Sequence, residues 1–292
     1  MSMLIKNDDK SSSDAKGRTL KKISLCVGYL LATALYPWPR SKRLKTGLRL
    51  MIDPKRRWID LNLAFKSKYE EGTLHLIERL LPKSGVFIDV GANIGVMSTY
   101  AARLVGSGGV VLAFEPDHVN FGRLIWAREA NSLPQLIAFP IALGSEERWM
   151  KLQRSPTGDG GLSSLVGAEE LKEGCSVLVA RLDDLISCVP VSRIDLMKID
   201  VEGFESSVID GAKNTIEEHK PALIVEMVND DAVNAGKRLE KFGYVSFIPG
   251  EKSRGCNILQ RTIPHKLKHN NMLMVHASAL GKLSDLGFLI RN

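Results

Sequence analysis

Two clusters in this chain have residue types and spacing suited to chemistry. The first is Asp89-Val90-Gly91-Ala92-Asn93-Ile94-Gly95, followed twenty positions after Gly95 by Glu115. A glycine turn between a strand and a helix lets a ligand approach the backbone, where the first N–H groups of the helix have no partner within it. An ionised acid at the end of the next strand offers two oxygens to a vicinal diol such as that of a ribose. The pairing predicts a site for an adenosine-bearing cofactor, held by Asp89, Gly91, Asn93, Gly95 and Glu115. The plainer reading, glycines that only turn the chain and an acid on the surface, is weakened by having Asp89, Asn93 and Glu115 all in place.

The spacing also discriminates between cofactors. GxNxG lacks the GxGxxG arrangement that seats a pyrophosphate on a helix N-terminus. S-adenosylmethionine brings a sulfonium, an amine and a carboxylate instead of phosphates, and an acid such as Asp89 at the start of the loop suits its cationic end.

The second cluster is Lys198-Ile199-Asp200-Val201-Glu202-Gly203-Phe204-Glu205, with Glu226 at the end of the next apolar run. Ligands of open α/β sheets bind outside the carboxyl ends of the strands, so Asp200 and Glu202 are expected to face the same space as Asp89 and Glu115. Methyl transfer from a sulfonium is a displacement that gains from holding acceptor and methyl in line. A hydroxyl acceptor must also lose a proton, which a positioned carboxylate can take. Asp200 and Glu202 are therefore the candidate catalytic residues. Capping is the structural alternative for Glu202 and Glu205, because negative charge is favoured where a helix begins. Asp200 with Glu226 has the oxygen chemistry of a magnesium or calcium site, but without a dense Asp/Asn ligand run no metal is expected. His265 and His269 lack a third ligand nearby in sequence and read as surface residues.

Both clusters need a scaffold that ends several strands side by side. Apolar runs of strand length occur at 86–90, 110–114, 136–143, 194–199 and 222–225, separated mostly by helical patterns at 95–104, 118–131, 205–215 and 231–242. Runs apolar on both faces predict an α/β fold with a mostly parallel sheet covered by helices. Shorter runs at 244–248 and 272–276 predict a closing hairpin at the sheet edge. An insert over 144–190 carries two more strands, at 149–153 and 176–180, and a glycine-rich stretch at 156–164. That stretch reads equally as a lid over the crevice and as a surface loop.

Residues from about 23 to 80 look helical, ending where Leu74, Ile77, Leu80 and Leu81 give way to Pro82. The expected organisation is a disordered leader at 1–20, a basic and mostly helical N-terminal arm or cover at 21–82, the α/β body at 83–278 and a tail at 279–292. Charge follows this division. The net charge is +7, but residues 1–60 hold 14 Lys/Arg against 5 Asp/Glu, which leaves the remainder at −2.

Four scattered cysteines, Cys26, Cys175, Cys188 and Cys256, show no ligand or disulfide framework spacing and point to a reducing compartment. The apolar run from Ile23 to Tyr36 is 14 residues long, short of the ~20 that span a bilayer. It reads as a helix packed on the body, an interfacial anchor, or the apolar part of a secretory signal, the last weakened because no clean small-x-small cleavage site follows. Lysines before it and Trp38 with Arg40 after it keep an anionic membrane surface, met through residues 21–57, among the expected partners. The expected location is cytoplasmic, with peripheral membrane attachment as a variant.

In order along the chain, Val86 to Gly95 (VFIDVGANIG), Ala113-Phe114-Glu115-Pro116, Asn131, Leu162-Ser163-Ser164-Leu165, Leu182-Asp183-Asp184-Leu185 and Lys198 to Glu205 (KIDVEGFE) resemble the FkbM-type methyltransferases. The resemblance covers about Gly85 to Met227. It implies a three-layer, seven-stranded, Rossmann-like class I methyltransferase fold using S-adenosyl-L-methionine, with Asp89, Gly91, Asn93, Gly95 and Glu115 at the cofactor. It also implies O-methylation of hydroxyls on small molecules, sugars among them. Many members carry a histidine shortly after the acid on the fifth strand; here Met227-Val228-Asn229 stand there, which excludes a histidine base at that place.

The leading expectation is thus an O-methyltransferase for a carbohydrate or other hydroxylated metabolite. An RNA or protein methyltransferase is the enzymatic alternative, but the positive charge that would favour nucleic acid sits in the arm rather than the body. The third reading is a non-catalytic methyltransferase-like body held at a membrane or partner by that arm.

Overall fold

The computed structural model describes residues 39–53, 58–66, 69–153, 164–166, 174–189, 191–250, 257–267 and 271–291. The run at 23–36, the 156–163 stretch, Cys26, Cys256 and His269 lie outside them. The described chain begins with β1 (Arg40–Arg43), β2 (Arg49–Ile52), α1 (Trp58–Lys66), α2 (Glu71–Leu80), β3 (Val86–Val90), α3 (Val96–Val105), β4 (Val110–Phe114) and α4 (His118–Ala130). It continues through β5 (Leu136–Phe139), β6 (Ala142–Leu143), β7 (Arg148–Gln153), β8 (Ser164–Val166), β9 (Cys175–Ala180), α5 (Leu182–Ile186), β10 (Leu196–Ile199), α6 (Glu205–Gly211) and α7 (Lys213–His219). It closes with β11 (Ala222–Glu226), α8 (Asp230–Lys241), β12 (Tyr244–Pro249), β13 (Asn257–Thr262), β14 (Asn271–His276), α9 (Leu280–Asp285) and β15 (Phe288–Arg291).

The main sheet has the order β15-β13-β12-β14-β11-β10-β3-β4-β5. From β5 to β11 the strands are parallel, and β14 enters antiparallel between β11 and β12. Alternate residues along each strand feed two cores. Phe87, Val111, Ala113, Leu196 and Ile224 pack with Ile77, Met97, Ala101 and Leu124 from α2, α3 and α4. Ile88, Leu112, Met197, Leu223 and Val225 pack with Val208, Ile216 and Leu239 from α6, α7 and α8. Helices on both faces of a mostly parallel sheet make the three-layer α/β fold.

The seven expected strands are β3, β4, β5, β10, β11, β12 and β14. Strands β13 and β15 widen the sheet to nine, so the hairpin partners β12 and β14 lie inside it rather than at its edge. Residues 279–291, read as a tail, form α9 and the edge strand β15. The run at 136–143 divides at Pro140, whose missing N–H ends β5. Strand β6 then joins a second sheet, β6-β9-β7-β8, built from the insert. One expected helix at 205–215 is two, α6 and α7, broken at Ala212.

The helical reading of the arm fails over 40–52, where β1 and β2 form an antiparallel hairpin. Its residues Arg49, Leu50, Met51 and Ile52 alternate outward and inward at the strand period of two. Leu44, Leu50 and Ile52 pack with Ile59 and Leu63 of α1, with Ile94 and Val96, and with Ala127 of α4. A buried Arg123 fastens this layer to the body. Its guanidinium donates to both carboxylate oxygens of Asp60, one at 3.1 Å, and to the Met51 carbonyl at 2.6 and 3.1 Å. Asp60 is wholly buried, so this ion pair is what keeps the acid tolerable there. Among the described residues no helix is long and apolar enough to cross a membrane.

Candidate active site

The carboxyl ends of β3, β4, β10 and β11 open into a cleft with about 790 Å³ of empty space, its mouth included. Five acids, Glu70, Glu115, Asp200, Glu202 and Glu226, line it, with no lysine or arginine among the described lining residues.

At the β3–β4 end the loop turns immediately past the sheet. Gly91, at φ +81°, passes so close to β10 that a Cβ on it would sit 1.9 Å from the Asp200 carbonyl oxygen. Both the sign of φ and the space therefore demand glycine. The N–H groups of Gly91 and Ala92 donate to the Phe114 carbonyl, which ties the loop to β4. Asn93, at φ +52°, donates its N–H to Glu115 Oε2 at 2.7 Å. The other oxygen of Glu115 accepts from Asp117 N at 2.9 Å and Asn120 Nδ2 at 3.3 Å. Burial pushes Glu115 up to about 7, against the pull of those three donors.

Gly91, Asn93 and Glu115 line the cleft, whereas Asp89 and Gly95 stand behind its wall. A Cβ on Gly95 would meet Leu124 of α4 at 2.5 Å, so that glycine serves helix packing. Asp89 is fully buried, accepts from Ser98 Oγ at 2.5 Å and leaves its Oδ1 without a hydrogen-bond partner. Its pKa is raised by burial, opposed by the charge of Lys198 and the Ser98 bond.

At the β10–β11 end lies the carboxylate cluster. Strand register sets Lys198 beside Asp89, and its ammonium reaches Asp200 Oδ2 at 2.6 Å while the residue is only 3% exposed. Burial pushes Asp200 up, but the Lys198 charge and a hydrogen bond from Glu226 outweigh it and hold Asp200 below the usual carboxylate range. Glu226 is pushed up to about 9 by burial and by the charge of Asp200. The pair thus holds one proton, on Glu226, and Asp200 is the ionised partner. Lys198 remains charged, since Asp200, Glu70 and Asp89 offset the cost of its burial.

One carboxylate oxygen from each of Asp200, Glu202 and Glu226 lies within 4.8 Å of the others. This is a spacing that an oxygen-ligand cation could bridge, but Lys198 and the shared proton already supply the cluster with countercharge. Glu202, at φ +53°, stands just before Gly203 at the entry to α6, and Glu205 in the first turn of that helix turns back to accept from the Gly203 N–H.

Sequence reasoning missed Tyr69 and Glu70, which enter the cleft from the turn before α2. Glu70 is held at φ +40° and accepts from Asn271 of β14 at 3.1 Å. Tyr69 hydrogen-bonds Glu70 and is pushed well above the usual phenol range by burial and by the charges of Glu70 and Asp200. No motif marks either residue, because their place depends on the arm folding over β11 and β14. From the insert, Leu152 of β7 and Leu165 of β8 close an apolar side of the cleft.

Comparison with known proteins agrees with the resemblance seen in the sequence. Residues 89–246, more than half of the chain, match the family model described as the methyltransferase FkbM domain. "Methyltransferase 1" of Beauveria bassiana (strain ARSEF 2860) is 27% identical over 184 residues, covering 56% of this chain and 73% of that protein. Among solved structures, a methyltransferase FkbM from Methylobacillus flagellatus KT matches 74% of this chain and 54% of its own, at 17% identity and a TM-score of 0.42. The O-methyltransferase TomG from Streptomyces achromogenes, solved in complex with SAM, matches 70% and 78% at 11% identity and a TM-score of 0.41.

Proposed function

The chain belongs to the FkbM methyltransferase family, and we propose that it transfers the methyl group to a hydroxyl oxygen of a small, hydroxyl-rich acceptor such as a carbohydrate. The methyl-transferring activity and the S-adenosylmethionine donor come with that membership. The donor set fits this cofactor. A sulfonium and an ammonium are cations, and the described lining of the cleft presents five acids and no basic side chain. A pyrophosphate or a nucleic-acid backbone would meet repulsion in the same place.

Bound there, the sulfonium supplies a methyl group open to in-line attack by a nucleophile. Glu115 is the acceptor for the ribose hydroxyls, and Gly91 and Asn93 let the adenosine approach the loop backbone. Phe114, Leu143, Leu152 and Leu165 keep water from the reacting atoms. Asp200 takes the proton of the acceptor hydroxyl, and Glu226, donating to Asp200, orients it for that task. Glu202, Glu70 and Tyr69 offer hydrogen bonds to further hydroxyls, which is what a polyol acceptor requires.

One observation carries the oxygen assignment: Asp200 is kept ionised by Lys198 from behind while 19% of its side chain remains exposed toward the cleft. A base is needed for a hydroxyl, and it must be both charged and reachable. The test uses the full chain with S-adenosylmethionine carrying a ¹³C-methyl group and a cell extract as the acceptor pool. The chemical shift of the transferred carbon distinguishes O-, N-, C- and S-methyl products. An O-methyl ether absent from an Asp200→Asn reaction supports the proposal, and an N-, C- or S-methyl product overturns it.

A further inference from the structure

The β1–β2 hairpin carries charge that neither the fold nor the cleft uses. Between Pro39 and Ile52 the sequence holds five Lys/Arg and no acid. The inner face of the hairpin is accounted for: Leu50 and Ile52 are wholly buried, and Lys42, on the same side, donates to the Ala64 carbonyl. On the outer face Arg43 stands directly across from Arg49, both exposed, with exposed Lys45 in the turn. Arg103 of α3 joins them: a Cβ on Gly47 at the turn would sit 3.2 Å from its guanidinium. Like charges placed opposite each other in a sheet are destabilising. None of Arg43, Lys45, Arg49 and Arg103 forms an ion pair with a described residue. Among the described residues Arg49 has the ring of Trp126, 5.9 Å from its guanidinium carbon, and Arg103 lies near enough to Tyr100 for its charge to act on that phenol.

We propose that the outer face of the hairpin, Arg43, Lys45 and Arg49, with Arg103 beside its turn, is a docking surface for an anionic lipid bilayer. Repulsion within the patch is relieved when phosphate or carboxylate headgroups lie against it, and each basic residue near such a surface contributes about fivefold in affinity. Two observations favour lipid over nucleic acid. The hairpin itself carries no aromatic residue on which a base could stack, and Trp126 lies beneath Arg49. The 14-residue apolar run in the sequence ends at Tyr36, four positions before β1 begins. Stable attachment to a membrane takes two signals, and a polybasic patch next to an apolar segment supplies both in one stretch of chain. The surface is separate from the cleft and does not depend on the acceptor proposed for it.

The test is co-flotation of the full chain with phosphatidylcholine vesicles, with and without phosphatidylserine, alongside filter binding to single-stranded RNA at the same ionic strength. The expected result is binding that requires phosphatidylserine and weakens as salt rises. Changing Arg43, Lys45 and Arg49 together to Gln should then reduce it on the order of a hundredfold. The melting temperature of that variant should be no lower than the parent's, since the facing charges are gone, and its S-adenosylmethionine binding should match, which separates lost docking from lost folding. Lysine at 43 and 49 should preserve binding, because the bilayer reads charge rather than guanidinium geometry. Equal flotation with phosphatidylcholine alone, flotation unchanged in the triple variant, or RNA bound more tightly than anionic vesicles would each overturn the proposal.

Discussion

The two ends of the cleft each hold a buried carboxylate, and their surroundings assign them different work. Glu115 is encircled by N–H donors from Asn93, Asp117 and Asn120, with no cation beside it among the described residues. Asp200 has an ammonium behind it and a protonated carboxyl beside it. Neutral donors fix the position of Glu115 but leave it pushed up to about 7 by burial. At Asp200 the full charge of Lys198 wins over burial and keeps the carboxylate ionised. A carboxylate held by dipoles suits binding and one held by a counterion suits proton abstraction, so residue type alone does not separate the two roles.

The largest expected effect comes from removing the charge at the base. Asp200→Asn should lower kcat by roughly 10²–10⁴, the usual span for a general base, while the affinity for S-adenosylmethionine changes by less than about tenfold. Because the same change leaves Lys198 buried without its partner, a stability loss of roughly 3–5 kcal/mol is also expected. The double variant Lys198→Met with Asp200→Asn should recover the melting temperature and not the activity. If activity returned along with stability, Asp200 would be a structural partner of Lys198 and not the base.

How far such a site is legible in sequence depends on how local its causes are. β3, β4, β10 and β11 are apolar on both faces, so their run lengths marked them, and the acids at their ends followed from the chain. Gly91 was legible for the same reason, since the turn that needs it is formed by its own neighbours. For Asp89 the local pattern points the other way, because an acid at a strand end is expected to face the cleft. Its place behind the wall depends on β10 bringing Lys198 alongside, a register that no local pattern states. Tyr69 and Glu70 depend on the arm crossing β14, and the hairpin at 40–52 on a core shared with α1 and α4. In each case a partner distant in sequence decides the outcome.

At the other end, Glu115→Gln keeps the shape and removes the charge. Loss of hydrogen bonds to a charged acceptor is worth ~1.5–3 kcal/mol, so the affinity for S-adenosylmethionine should fall about 10- to 100-fold by isothermal titration, with a smaller change in kcat. The pH dependence gives an independent reading. Glu115 is protonated below about 7 and ionised above it, so the affinity of the parent protein should rise between pH 6 and 8. In Glu115→Gln that rise should be absent. A parent affinity flat across this range would mean that Glu115 does not meet the ribose as a carboxylate.

The smallest effect, and the finest probe of the difference between the two ends, is Glu226→Gln. At neutral pH an amide can donate to Asp200 as the protonated acid does, so kcat should change only a few-fold. Above about 9 the parent loses the proton on Glu226, the donated bond turns into repulsion between two carboxylates, and activity should fall; the variant should keep its activity there. Stability should respond in the matching direction. In the unfolded chain Glu226 ionises near 4.5, and in the folded one near 9. Between those values the native state binds the extra proton, so raising the pH destabilises the parent. Glu226→Gln removes that contribution, and its melting temperature should exceed that of the parent by a margin that grows from pH 5 to pH 9. A margin independent of pH would mean that the Asp200–Glu226 pair does not hold a shared proton, and Asp200 would then owe its charge to Lys198 alone.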